Sequence, residues 1–250
     1  MCCFSRSVDL VSATKIFASA EDSHRQFVVY SMTMAAKEEL AMILPLPVRV
    51  GSGEQAVRFI NLEQYPQFFA DVEKGFPAEP DRNPAPSAEL VMNRSASTAL
   101  EVFQVGSFEA SFVPTINDFN RLDERFQLPA GTWEKLPAYR HYGFAVFKLK
   151  AGAKTMHPMA FSFPRARISS LFFPTVHIHD GEVHERAAFD HILYCQRSDS
   201  DTGKLTEWRE SPKLARDFIK VAQTKGIVAA ERHCHRLKLR GYLENRDVWV

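Results

Sequence analysis

Short apolar or alternating stretches dominate the first fifty positions. Residues 2–7, 8–18, 26–35 and 40–47 read as successive strands, and Glu21-Asp22-Ser23-His24 is a polar break between two of them. Links this short favour antiparallel pairing of consecutive strands, a meander. The period then changes. Over 65–75, Phe68, Phe69, Val72 and Phe76 fall on one helical stripe, and Pro66 suits the first turn. Residues 77–98 carry Pro77, Pro80, Pro84 and Pro86 among Asp, Asn and Ser, the composition of a long surface loop. Strand character returns over 100–114. Asn117 is placed to cap a short helix running to 125, and 132–136 reads as one more helical turn.

Residues 143–150, 159–163, 172–179 and 189–196 form a second group of strands. The last predicted helix is 211–225, with Ser211 as cap, Pro212 at its first position, Leu214, Phe218 and Val221 as buried stripe and Gly226 as stop. The tail, 235–250, reads as a further hairpin. No repeat or heptad run interrupts this order. The pattern predicts an α+β fold, mainly antiparallel β-sheet in two strand groups with about three to four helices, in a single domain over 1–250.

Composition narrows the function classes. With 45% hydrophobic residues and 20 phenylalanines in 250 positions, the chain can bury a substantial core. Its net charge of +1 gives no global field toward nucleic acid or anionic lipid, so such a partner would need a local patch. The apolar runs are short and broken by proline, so no membrane span is expected. The four cysteines, Cys2, Cys3, Cys195 and Cys234, show no CxxC and no disulfide spacing. The opening residues lack the apolar core of a secretory signal, and the expectation is a cytoplasmic protein with reduced thiols.

Asp180-Gly181 is a hairpin signal inside Thr175-Val176-His177-Ile178-His179-Asp180-Gly181-Glu182-Val183-His184. With those two residues as the turn, His179 faces Glu182, His177 faces His184, and all four side chains share one face. Three imidazoles and a carboxylate suit zinc or another divalent transition metal. His177, His179 and His184 would be ligands. Glu182 would be a fourth ligand or a base acting on metal-bound water, and hydrolysis of a small-molecule or peptide substrate would be the reaction class. The same pattern also suits the solvated outer face of a half-buried hairpin.

The N-terminus offers a second chemistry. Removal of Met1 would leave Cys2 with a thiol and a free α-amine able to serve as its base. Cys2 followed by Phe17-Ala18-Ser19-Ala20-Glu21-Asp22 resembles the cysteine-start strands of N-terminal-nucleophile hydrolases of the choloylglycine and penicillin V acylase type. The resemblance covers about twenty residues. It implies a layered sandwich and amide hydrolysis, with Cys2 as nucleophile and Asp22 assisting; Ser19 stands where that family has an arginine.

A third feature is the tail, where Arg232, His233, His235, Arg236, Lys238 and Arg240 cluster without an acid. It could meet phosphates, although sparse aromatics argue against nucleic acid and a lysine- and arginine-guarded strand edge fits as well. His233 and His235 could join a metal site only if folding brought them to His177. No dinucleotide loop, P-loop, HExxH or GxSxG motif occurs. Three functions follow: a metal-binding hydrolase at the 177–184 hairpin, an amidohydrolase using Cys2, or a non-catalytic binding or scaffolding protein.

Overall fold

The computed structural model describes residues 2–49, 51–77, 103–105, 108–129, 131–155, 157–178, 182–197 and 205–250. The Pro-rich stretch 77–98 falls almost wholly outside them. In chain order the strands begin β1 (Cys2–Phe4), β2 (Leu10–Ala20), β3 (Arg25–Ala36), β4 (Leu40–Leu46) and β5 (Arg58–Asn61). Helix α1 (Phe68–Lys74) follows, then β6 (Phe103–Val105), β7 (Phe108–Val113), β8 (Gly143–Leu149), β9 (Gly152–Thr155) and β10 (Met159–Pro164). The series closes with β11 (Phe172–Phe173), β12 (His177–Ile178), β13 (Arg186–Gln196), β14 (Arg209–Leu214), β15 (His233–Glu244) and β16 (Val248–Trp249).

These strands make two large sheets. One has six strands in the order β12-β1-β4-β8-β7-β6, and the other has eight along β14-β15-β13-β2-β3-β10-β5, with β9 also paired to β3. A small third sheet joins β11 to β16. Pairing is antiparallel except for β1 with β12 and β2 with β13.

Alternation explains how the layers stack. On β4, Leu40, Met42, Leu44 and Leu46 face a central cluster that also takes Val28, Tyr30, Met32 and Met34 from β3 and Ala145, Phe147 and Leu149 from β8. The alternate residues of β4 and β8, Ala41, Ile43, Phe144 and Val146, face a second cluster closed by Phe119, Phe126, Leu136 and Tyr139. The alternate residues of β3, Phe27 and Val29, face a third beneath Phe68, Phe69 and Val72 of α1. Strands buried on both faces need apolar residues at every position, which is why β3, β4 and β8 read as nearly continuous apolar runs. Burying one such side chain stabilises the fold by about 1.5–3 kcal/mol.

The predicted α+β class holds in its coarse form, dominated by sheet, but several finer expectations fail. Helix 65–75 is present as α1. The predicted helix 117–125 is instead two 3₁₀ turns, Ile116–Arg121 and Glu124–Phe126. The predicted helix 211–225 begins as an edge strand, β14, and ends in 3₁₀ turns. Ser211 does not cap a helix: its hydroxyl donates to Lys213 O (2.7 Å) and accepts from Cys234 N (3.0 Å) on β15. Pairing with β15 satisfies backbone groups that the helix would have satisfied internally. The N-terminal meander also fails, because β1 and β4 belong to one sheet and β2 and β3 to the other. Nor is the tail a hairpin. β15 pairs with β13 and β14, while β16 leaves to pair with β11.

Candidate functional site

The predicted metal and nucleophile residues meet most closely where the N-terminal strand enters the six-stranded sheet. β1 lies between β12 and β4, so Cys2 pairs in register with His177 and Cys3 with Ile178 on one side and Ile43 on the other. Cys3 is fully buried among Ala41, Ile43, Val176 and Ile178. Of Cys2 the structure describes the backbone only.

The strand opposite His177 is therefore Cys2's, not that of His184. Residues 177 and 184 are joined instead through one side chain. Asn245 Nδ2 donates to His177 O and His184 O, 2.9 Å each, and its Oδ1 accepts from His177 N at 2.7 Å. Two residues on, Asp247 accepts from Thr175 N (2.9 Å), Val176 N (3.1 Å) and the Tyr139 hydroxyl (2.8 Å). The Thr175 hydroxyl donates to Arg246 O at 2.7 Å. Residues 245–247 thus staple the approach to β12. Burial pushes the Asp247 carboxyl above the usual carboxylate range, against its three donors. Burial and that neighbouring carboxylate push the Tyr139 phenol up.

The imidazole of His177 packs against aromatic rings on β13. Its ring lies 4.4 Å from Phe189 and 4.5 Å from His191, centroid to centroid. His191 is fully buried, and among the described residues neither of its nitrogens has a hydrogen-bond partner. Its Nδ1 is 3.6 Å from Asp190 Oδ1, beyond hydrogen-bond range. Desolvation holds the His191 imidazole below its ordinary range, against the attraction of Asp190. The Asp190 carboxyl lies below the usual range. Burial opposes this, while His191 and the Ala13 amide, 2.5 Å away, outweigh it. That amide sits in a β2 bulge where Ala13 takes φ 52°, a left-handed conformation uncommon for alanine.

The remaining predicted residues scatter. His179, with the Asp180-Gly181 turn, lies outside the described residues. Glu182 is exposed and pairs with Lys135 Nζ at 2.8 Å. His184 is exposed while His177 is buried, so the two do not share a face. Asp22 closes the β2–β3 turn, accepting from His24 N and Arg25 N at 2.7 Å each, and those amides, His24's first, hold its carboxyl below the usual range. That turn belongs to the eight-stranded sheet, whereas Cys2 lies in the six-stranded one. His233 and His235 sit on β15 beside Glu210, in the other sheet from His177. In the basic tail, the Arg236 guanidinium covers the Phe76 ring at 4.9 Å, and Lys238 and Arg240 are exposed. Sequence reasoning passed over Asn245 and Asp247. The only signal was Asn245-Arg246-Asp247, which marks a turn and says nothing about what the turn holds.

No family model matches the chain, and no curated protein matches it significantly in sequence. Solved structures do match in fold. Baculovirus P35 aligns over 97% of this chain and 96% of its own, with a TM-score of 0.50 and 13% identity. A mutated baculovirus P35 after caspase cleavage aligns over 95% and 99%, with a TM-score of 0.51 and 12% identity. P35 in a caspase-8/P35 complex aligns over 95% of each chain, with a TM-score of 0.50 and 12% identity. The fold of this chain is P35-like.

That likeness overturns the expectation of a zinc-binding hydrolase. The matched fold is not that of a metal hydrolase, and among the described residues no three His, Cys, Asp or Glu side chains are grouped to hold a metal ion. The physical reason lies in the register. Pairing β12 to β1 turns the His177 ring into the core and leaves His184 outside. As to membranes, no helix among the described residues is long and apolar enough to cross one.

Proposed function

We propose that this chain is a non-catalytic binding protein whose partner is a protease of the caspase class. The observation that carries this reading is the correspondence of fold over nearly the whole of both chains with P35, solved both in complex with caspase-8 and after caspase cleavage. The partner is then a protein, not the small-molecule or peptide substrate expected of a hydrolase. The staple at 245–247 supports such a role by fixing the approach to β12, the strand that pairs with β1.

The test is titration of active caspase-8 with the purified full chain, followed by release of a fluorogenic peptide product. The reading expects caspase activity to fall in proportion to added protein, and intact mass to show whether the chain is cut at a single bond. Unchanged caspase activity at a large excess of the chain, with no cut, would overturn it.

A further inference from the structure

A second cavity, distant in function from the histidine corner, carries a chemistry of its own. It holds about 270 Å³, close to the lower end of the size of small-molecule pockets, between the segment after β4 and the entry to β8. Its floor is apolar: Val48 and Phe112 are buried, and Tyr142 is half-buried. The floor depends on Gly143. A Cβ there would lie 2.5 Å from the Phe112 ring, so any larger residue would displace the ring.

Its rim is basic. Arg49, Arg140 and His141 line the opening, and no acidic residue among the described residues does. Two carboxylates close in sequence to lining residues are paired elsewhere: Glu54 with Arg121 at 2.6 Å, and Asp118, which accepts from the Thr115 hydroxyl at 2.7 Å. The rim hydroxyls are spent too, since Ser52 donates to Arg49 O at 2.5 Å. Both rim guanidiniums are exposed, and neither makes a salt bridge with a described residue. Two forked cations lining a cavity with an apolar floor match a group that is anionic at one end and apolar at the other.

We infer that this cavity binds a small organic anion, a carboxylate or phosphate borne on a compact apolar or aromatic body. The anion engages Arg49 and Arg140, and the body rests on Phe112 and Val48. This site stands independently of caspase binding.

The experiment is isothermal titration of the full chain with phenyl phosphate, benzoate, inorganic phosphate and benzyl alcohol, repeated on R49Q/R140Q. Both arginines are exposed, so the double variant should fold, with an unchanged circular dichroism spectrum and melting temperature as the check. At least one organic anion should bind roughly tenfold or more tightly than both inorganic phosphate and benzyl alcohol, and R49Q/R140Q should lose roughly tenfold or more of that affinity. Preference for phenyl phosphate assigns a phosphate ligand, and preference for benzoate a carboxylate. Three results would overturn the site: inorganic phosphate or benzyl alcohol binding as tightly as the organic anions, no saturable binding of any probe, or affinity unchanged in R49Q/R140Q.

Discussion

Two histidine groups in this molecule have nearly the same composition and opposite settings. His177 and His191 sit in the core against Phe189, with the His191 nitrogens unpartnered among the described residues and the Asp190 carboxylate 3.6 Å from one of them. His233 and His235 sit at the β14–β15 edge, where one carboxylate, Glu210, reaches both at 3.7 and 3.5 Å. His233 Nδ1 also donates to Ser211 O at 2.7 Å. In the first group the rings pack in an aromatic core and in the second they line a polar edge. Imidazoles drawn together by the fold are therefore not yet a site; what they can do depends on water and on partners.

The largest effect should come from the staple behind the buried pair. D247A leaves two backbone amides and the Tyr139 hydroxyl without their acceptor, and it should cost about 3–5 kcal/mol in urea denaturation. A loss below about 1 kcal/mol would mean that β12 holds without it.

Acid should then separate the two groups. Folding lowers the His191 pKa, so the unfolded chain takes up that proton first. The stability is whole above the ordinary value near 6.5 and falls as pH drops below it, by up to about 1.4 kcal/mol per pH unit until the folded value is reached. H191F removes the titrating ring, and thermal melts of it between pH 7.5 and 5 should show a flatter slope than wild type. His235 shifts in the same direction through burial, against Glu210, but it is partly accessible, so H235N should flatten the slope less. Equal slopes in wild type and H191F would erase the distinction between the groups.

Smaller effects belong to the surface. H233A loses one hydrogen bond to Ser211 O and should cost about 0.5–1.5 kcal/mol. E182A breaks an exposed pair with Lys135 and should stay within about 0.5 kcal/mol by the same measurement.

What could be read from the sequence follows from where local pattern and tertiary demand agree. β3, β4 and β8 were legible because burial on both faces leaves an unbroken apolar run, and α1 because Phe68, Phe69 and Val72 face one sheet. The stretch 211–225 was not. Its Ser-Pro start and Gly226 stop are good local helix signals, yet the hydrogen-bonding edge of β15 claims Ser211 and Leu214 for a strand. The histidine hairpin failed in a related way. Within the predicted strand 172–179 only 172–173 and 177–178 are strand, in two different sheets, and β1, far away in sequence, took the place assigned to 182–184. The Arg49–Arg140 cavity joins residues ninety positions apart and has no local signature.

The central claim is that the chain works by holding a protein, not by turning over a substrate. Size-exclusion chromatography with light scattering of an equimolar mixture of the chain and active caspase-8 tests it most directly. The account predicts one peak with the combined mass and both proteins in it. Two peaks at the separate masses, with the caspase still fully active, would contradict it.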